Sequence, residues 1–168
     1  DGDEVVAFRE KPDDPNSTLV SIACSGFPAD ALGLLEEYLE SGNNPDEPGW
    51  FIQWLQDRSS VYAFTFEEAW FDIGTPESYL EAIAWYLGGD THVAESATIE
   101  NSRLGENVHV MPDAEVVDSD LDKSIVFSDA TLRDCDIRSS IIDRDTDLNG
   151  LNLQGALIGA HTQISNGR

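Results

Sequence analysis

The sequence predicts an α/β region followed by a parallel β-helix, and the spacing of its apolar residues is the reason. Up to about residue 87, short apolar runs of strand character alternate with segments of helical spacing. From residue 91 onward the period changes, and aliphatic residues recur in three regular series. This change divides the 168 residues into two predicted domains, residues 1–89 and residues 90–168.

The predicted elements of the first domain follow from local patterns. Residues 5–8, 19–27 and 61–66 are apolar runs, and we expect them to form strands. Residues 31–39 carry apolar side chains at helical spacing behind Pro28, and residues 50–55 suggest a second, short helix.

Residues 70–77 place one carboxylate at the end of a predicted strand. Asp72 is followed by a turn at Gly74. Thr75 and Pro76 then supply the cap and first position of a predicted helix, whose apolar residues lie at helical spacing over residues 79–87. An acid at a strand-to-helix turn is well placed to hold a metal ion or phosphate group, because the backbone leaves the sheet there. Asp72 is therefore a candidate site residue.

The second domain repeats with a period of sixteen residues. Small residues often stand two positions before the aliphatics, which describes short coils whose aliphatic side chains stack in a central column. The three aliphatic series are Leu104, Leu121, Ile137 and Leu153; Val110, Val126, Ile142 and Ile158; and Val116, Leu132, Leu148 and Ile164.

Residues 93–164 resemble the hexapeptide form of this solenoid, the left-handed parallel β-helix. A helix repeats near 3.6 residues and an ordinary strand near 2, and neither period generates three parallel ladders. Glycine follows the aliphatic only at Gly105 and Gly159, which is fewer than such repeats usually carry.

The order of motifs along the chain resembles the C-terminal half of the sugar-1-phosphate nucleotidyltransferases, such as glucose-1-phosphate thymidylyltransferase and mannose-1-phosphate guanylyltransferase. Glu10, Lys11 and Pro12 end the first predicted strand, the Asp72 turn follows further on, and a hexapeptide β-helix closes the chain. The fold that this resemblance implies is the C-terminal portion of a Rossmann-like nucleotidyltransferase domain followed by a left-handed β-helix.

The resemblance also implies roles for individual residues. Glu10 and Lys11 would contact the hydroxyls and phosphate of a sugar 1-phosphate, and Asp72 would bind a catalytic Mg²⁺. These residue types suit such ligands, since a carboxylate accepts hydrogen bonds from vicinal hydroxyls and an ammonium is a compact charge for phosphate. The implied reaction joins the sugar phosphate to the α-phosphorus of a nucleoside triphosphate and releases pyrophosphate.

Two departures from the family pattern limit these expectations. The usual Gly and Tyr of a substrate-binding strand are replaced by Ala23 and Ser25, so the sugar-contacting wall should differ. The glycine-rich segment that wraps the triphosphate does not occur in these residues, and the resemblance places it in an N-terminal half. We therefore expect this chain alone to be inactive, with neither the nucleotide nor the sugar fixed by the sequence.

Two alternatives stay open. Left-handed β-helices also form acetyl-CoA-dependent acyltransferases with a histidine general base, so His92, His109 and His161 are candidates, and the parent could be bifunctional. The β-helix could instead be a purely structural module that joins copies of the chain into a homo-oligomer.

Composition constrains the partners and the compartment. The net charge of −24 argues against a nucleic-acid partner, and no apolar run is long enough for a membrane span. Because lysine occurs only as Lys11 and Lys123, the acidic surface suggests a cytoplasmic protein adapted to a high-salt cytosol. Cys24 and Cys135 are expected to be buried free thiols.

Overall fold

A computed structural model describes residues 3–166 of the protein. The chain divides into two compact units, Asp1–Glu68 and Ala69–Arg168, and each is described by itself below. Among the described residues, no helix is both long and apolar enough to cross a lipid bilayer.

The first unit is built from two short helices and a minimal sheet. The elements are β1 (Asp3–Glu4), a 3₁₀ turn (Ala29–Ala31), α1 (Leu32–Glu40), α2 (Pro48–Leu55) and β2 (Tyr62–Ala63), with β1 and β2 antiparallel. The predicted helices over residues 31–39 and 50–55 are thus confirmed.

An aromatic cluster between α1 and α2 forms the core of this unit. Tyr38, Phe51 and Leu55 are its buried members. The Tyr38 ring meets Phe51 and Trp54 edge-on, with centroids 5.4 and 5.6 Å apart. Edge-to-face contacts of this kind add about 0.5–1.5 kcal/mol beyond the burial of apolar area.

The strand predictions for this unit were largely wrong. Residues 5–8 and 19–27 are irregular, and of residues 61–66 only Tyr62 and Ala63 join a sheet. A strand needs a neighbour to receive its backbone hydrogen bonds, and within residues 3–68 no other strand lies beside residues 19–27. Leu19 and Val20 are consequently 74% and 79% exposed.

The second unit begins with the predicted helix after Asp72. Helix α3 (Pro76–Leu87) has Thr75 as its N-cap: Ser78 N–H donates to Thr75 Oγ1 at 3.2 Å, and Thr75 N–H donates to Ser78 Oγ at 3.1 Å. This reciprocal capping box satisfies backbone donors that the helix leaves unpaired. Gly88 ends the helix in the left-handed conformation, with φ of 61°.

Short strands follow α3 and wind into three parallel sheets. In chain order they are β3 (His92–Val93), β4 (Thr98–Glu100), β5 (Arg103–Leu104), β6 (His109–Val110), β7 (Glu115–Val117), β8 (Asp120–Asp122), β9 (Ile125–Val126), β10 (Thr131–Arg133), β11 (Asp136–Arg138), β12 (Ile141–Ile142), β13 (Asp147–Asn149), β14 (Asn152–Gln154), β15 (Leu157–Ile158) and β16 (Gln163–Ser165). The sheets run β3-β6-β9-β12-β15, β4-β7-β10-β13-β16 and β5-β8-β11-β14. We call residues 92–165 the solenoid.

The register of these sheets confirms the three aliphatic series. Leu132 pairs with Val116 and Leu148, and the other two series pair in the same way from coil to coil. The central members of each series are buried in one column. This arrangement is consistent with the predicted left-handed β-helix and confirms the fold class.

The corners of the coils explain why few glycines are needed. Most corners hold one residue with φ between 47° and 68°, a region that asparagine and aspartate enter more readily than other side chains. The three corner stacks are Asn101, Asp118, Asp134 and Gly150; Asn107, Lys123, Ser139 and Gly155; and Asp113, Asp129, Asp145 and His161. Part of the acidic composition is therefore explained by turn geometry.

Small hydroxyl side chains tie one coil to the next inside the column. Ser140 Oγ donates to Arg138 O at 2.7 Å and accepts a hydrogen bond from Ala156 N–H at 3.0 Å. Ser124 makes the equivalent pair of bonds one coil earlier. These buried hydroxyls pair backbone donors that would otherwise lack an acceptor.

Candidate functional site

Helix α2 positions Glu10 and Lys11 in the first unit. Gln56 exchanges two hydrogen bonds with the backbone of Phe8, at 2.6 and 2.9 Å, and Gln53 Oε1 accepts from Glu10 N–H at 2.8 Å. Because the two glutamines are one helical turn apart, they hold the extended segment along the helix. This contact replaces the predicted strand pairing of residues 5–8.

Lys11 is bound by a carboxylate that sequence reasoning missed. Its ammonium group donates to Glu47 Oε1, and the other oxygen of Glu47 accepts from Trp50 Nε1 at 2.8 Å and Asn44 Nδ2 at 3.3 Å. The hydrogen bond and charge of Glu47 raise the pKa of Lys11, and the Lys11 bond, followed by the Trp50 bond, lowers the pKa of Glu47. The Lys11 side chain is 64% exposed, so an incoming anion can reach it.

Glu10 lies against the first turn of α2. A Cβ added to Gly49 would overlap the Glu10 carboxylate, so the absence of a side chain at this position allows the approach. The two residues that the sequence pairs as substrate ligands therefore both lie at the start of α2, with Glu10 at Gly49 and Lys11 at Glu47.

Ala23 and Ser25 lie in the irregular segment before α1, and both are exposed. Ala23 has φ of 58°, a left-handed conformation that favours glycine, the residue expected here from the family pattern. The backbone thus adopts a glycine-type conformation even though the side chain is present.

A cavity of about 300 Å³ adjoins the Lys11–Glu47 pair. Asn44 and Trp50, the two residues that bind Glu47, are part of its lining. The other lining residues are Tyr38, Asn43, Gln53, Trp54 and Asp57. Aromatic faces beside amide and carboxylate groups give a surface that can pack against a polar ring and hydrogen-bond its hydroxyls.

Asp72 belongs to the second unit, in the segment just before α3. Phe71 packs on Trp85 of that helix with ring centroids 5.6 Å apart, and Asp72 itself is exposed to solvent. Across residues 3–166, no three His, Cys, Asp or Glu side chains are grouped to hold a metal ion. Asp72 could supply one carboxylate to Mg²⁺, which usually takes one or two together with phosphate oxygens.

The three candidate histidines lie at two separate places in the second unit. His92 and His109 contact each other on neighbouring strands, with ring centroids 4.9 Å apart. His161 has Nδ1 at 3.4 Å from Asp145 Oδ2. It lies on an exposed corner of the solenoid, outside any described cavity.

A second depression, of about 480 Å³, runs along one side of the solenoid. Its acidic residues serve the fold in two ways. Asp118 and Asp134 are corner residues with left-handed backbone conformation. Asp120 forms an ion pair with Arg103 at 2.9 Å. Asp136 pairs with Arg138 at 3.0 Å. The fold thus gives each of these four carboxylates a turn position or an ion-pair partner, although the buried Asp136 Oδ1 has no hydrogen-bond partner among the described residues.

Comparison with known proteins assigns the family. The profile described as Nucleotidyl transferase matches residues 1–88, which is more than half of the chain. The chain belongs to this nucleotidyl transferase family. The matched range includes every residue predicted for a nucleotidyltransferase site, Glu10, Lys11, Ala23, Ser25 and Asp72.

Curated relatives extend the likeness beyond the family profile. The chain is similar to the glucose-1-phosphate adenylyltransferases of Bacillus mycoides (strain KBAB4), Bacillus thuringiensis (strain Al Hakam) and Bacillus anthracis, at 28% identity over 151 residues. The match covers 74% of this chain, more than residues 1–88 can supply, so it includes part of the second unit beyond residue 88. The chain spans 38% of the length of these relatives.

Proposed function

We propose that this chain forms the sugar-phosphate side of a sugar-1-phosphate nucleotidyltransferase. The observation that carries the proposal is the family match over residues 1–88, which contains the adjacent Glu10 and Lys11. The names of the curated relatives add a specific candidate, adenylyl transfer from ATP to glucose 1-phosphate.

Lys11 is the proposed phosphate ligand. Its ammonium group is exposed and faces one carboxylate, Glu47, so phosphate binding would exchange one anionic partner for another. Exposed ion pairs contribute little to stability, so the exchange costs little. Glu10, beside it, would accept hydrogen bonds from the sugar hydroxyls.

In the proposed reaction, an oxygen of the sugar phosphate attacks the α-phosphorus of the nucleoside triphosphate, and pyrophosphate leaves. The contribution of this chain is to position the nucleophile and offset its charge. A bound Mg²⁺ would neutralise charge on the phosphates, and Asp72 is the residue of this chain proposed to contact it.

We also propose that the first unit packs against the N-terminal part of a nucleotidyltransferase domain, and that this part would supply the triphosphate-binding segment. The support is its exposed apolar surface: Val6 is 98% exposed and Phe64 87%, alongside Leu19 and Val20. Large exposed apolar groups of this kind are typical of contact surfaces. The chain's 38% share of its relatives' length agrees with this proposal.

The test is pyrophosphate release by the longer parent protein with glucose 1-phosphate and ATP. We expect Lys11→Ala to raise KM for the sugar phosphate by about 10- to 100-fold, since a hydrogen bond to a charged group contributes about 1.5–3 kcal/mol. KM for ATP should change little. Lys123→Ala, at a solenoid corner, is the matched control and should leave both constants unchanged.

An unchanged KM for the sugar phosphate in Lys11→Ala would refute the assignment of Lys11. Acetyl-CoA turnover by the same protein, with no pyrophosphate release, would favour the acyltransferase alternative instead. Within the described residues, no carboxylate lies within 4.0 Å of the nitrogens of His92 or His109, so the structure adds no support to that alternative.

For the solenoid unit we propose a role in joining copies of the chain in a high-salt cytosol. Trp85 and Tyr86 on α3 are 63% and 74% exposed, and Leu157 in the last coil is 60% exposed. Light scattering in molar salt tests this role. A dimer or larger assembly that Trp85→Ser weakens is expected, and a strict monomer would refute it.

A further inference from the structure

His92 and His109 form a pair on the outer face of the first two coils. Strands β3 and β6 are parallel, with His92 opposite His109 and Val93 opposite Val110. Because side chains alternate along a strand and Val110 is fully buried, the two imidazoles point away from the column. Their rings meet edge-to-face at 86°.

His109 has an unsatisfied nitrogen. Its Nδ1 is buried and has no hydrogen-bond partner among the described residues. A buried polar atom of this kind needs an explanation, and a bound water or ion is one. Burial, followed by the charge of His92, lowers the pKa of His109, so its imidazole is neutral near pH 7. Neutral imidazole is the form that binds metal ions.

The spacing of the pair suits one metal ion. Neighbouring strands lie about 4.7–4.9 Å apart, which sets the distance between their in-register side chains. Zn–N bonds of about 2.0–2.1 Å in a tetrahedral site place two ligand nitrogens roughly 3.4 Å apart. The His92 and His109 centroids are 4.9 Å apart, which is compatible with one shared metal ion, and metal binding would require the edge-to-face rings to rotate until one nitrogen of each faces the ion.

We propose that His92 and His109 bind a borderline transition metal ion such as Zn²⁺, with water in the remaining positions. Strand β3 ends its sheet, so solvent has access to the outer side of His92. By bridging two coils, the metal would stabilise the start of the solenoid, because binding to the folded state alone raises stability.

The test is calorimetric titration of this chain with ZnCl₂ at neutral pH in molar NaCl, with CaCl₂ as the comparison ion. We expect one Zn²⁺ per chain, and affinity at least about tenfold lower in His92→Ala and in His109→Ala, since lost metal-site interactions cost 10–100-fold. His161→Ala is the matched control and should bind like the unchanged protein, although His161 also lies near an acid. Circular dichroism of each variant verifies that the solenoid is folded.

A second measurement follows unfolding with and without Zn²⁺. The metal should raise the unfolding temperature of the unchanged chain and of His161→Ala, and should not raise that of His92→Ala. Zn²⁺ binding that survives in both His92→Ala and His109→Ala, or that Ca²⁺ matches, would overturn the proposal in favour of diffuse binding to the acidic surface. Loss of binding only in His161→Ala would also overturn it.

Discussion

The two units of this protein bury their apolar residues in different ways. In the solenoid, each coil covers the aliphatic side chains of the coil before it, and residues such as Leu132 and Ile142 are fully buried. In the described part of the first unit, the buried core is a small aromatic cluster, while Val6 and Phe64 are almost fully exposed. Coils need only neighbouring coils, whereas the first unit leaves strand-like segments without partners.

This difference shows what each kind of pattern requires. A solenoid repeat carries its own packing partner sixteen residues away, so the pattern and the fold are both local. An apolar run such as residues 19–27 can become a strand only where another strand offers hydrogen bonds. We therefore expect the solenoid to be a self-supporting unit, and we have proposed that further chain completes the first unit.

The largest difference in the free energy of unfolding should come from making the same Leu→Ala substitution in each unit. Leu132→Ala removes a fully buried side chain and should lower the free energy of unfolding by about 2–5 kcal/mol. Leu19→Ala, at a position that is 74% exposed, should change it by less than about 0.5 kcal/mol. Urea unfolding followed by far-ultraviolet circular dichroism compares them. Equal losses would break the contrast.

Removing a buried hydroxyl that ties one coil of the solenoid to the next should give the second-largest loss of stability. Ser140→Ala removes a buried hydroxyl, leaves the part-buried Ala156 N–H without its acceptor and should cost about 1–3 kcal/mol. Ser165→Ala, an exposed position in β16, is the control and should be nearly neutral. The same urea assay applies, and a neutral Ser140→Ala would show that another acceptor replaces the hydroxyl.

Positions with left-handed backbone conformation in both units should be more stable with glycine than with their present residues. Lys123 and Ala23 have φ of 48° and 58°, and replacing either with glycine should stabilise its unit by about 0.5–1 kcal/mol. Near-ultraviolet circular dichroism of the aromatic cluster reports on Ala23→Gly, and far-ultraviolet dichroism reports on Lys123→Gly. Ala7→Gly, which has no left-handed φ to relieve, should destabilise.

The sequence predicted the solenoid at the level of individual residue pairs, because side-chain period alone fixes its register. It also predicted α3 with its Thr75 cap, since capping signals are local. The Glu47 partner of Lys11 could not be predicted, because the two residues are 36 positions apart and no local pattern joins them. The strand prediction for residues 19–27 was wrong for a related reason, since a strand forms only beside a partner strand that lies far away in the sequence.

Acid should weaken the start of the solenoid more than its middle. Because the pKa of His109 is lowered in the folded chain, the unfolded state binds the proton more readily, and stability falls as pH drops from about 7 to 5. His109→Gln should reduce this loss relative to the unchanged chain. Unfolding curves at the two pH values measure the difference, and an identical pH dependence would contradict the argument.

The accessibility of the two cysteines gives the smallest expected effect, because alkylation is read by mass and requires no change in stability. Cys24, expected from the sequence to be buried, is exposed in the irregular segment, whereas Cys135 is buried as predicted. Burial raises the pKa of the Cys135 thiol and keeps it protonated. Iodoacetamide with mass spectrometry should label Cys24 within minutes and Cys135 only on unfolding. Labelling of Cys135 in the folded chain would disprove its protection.

Hydrogen exchange followed by mass spectrometry tests the central claim most directly, because it reports the stability of each segment separately. In this chain alone, we expect slow exchange in the solenoid column over residues 104–153 and fast exchange in residues 5–27. In the longer parent protein, residues 5–27 should become protected while the solenoid stays unchanged. Equal protection of the two segments in the isolated chain would contradict the account.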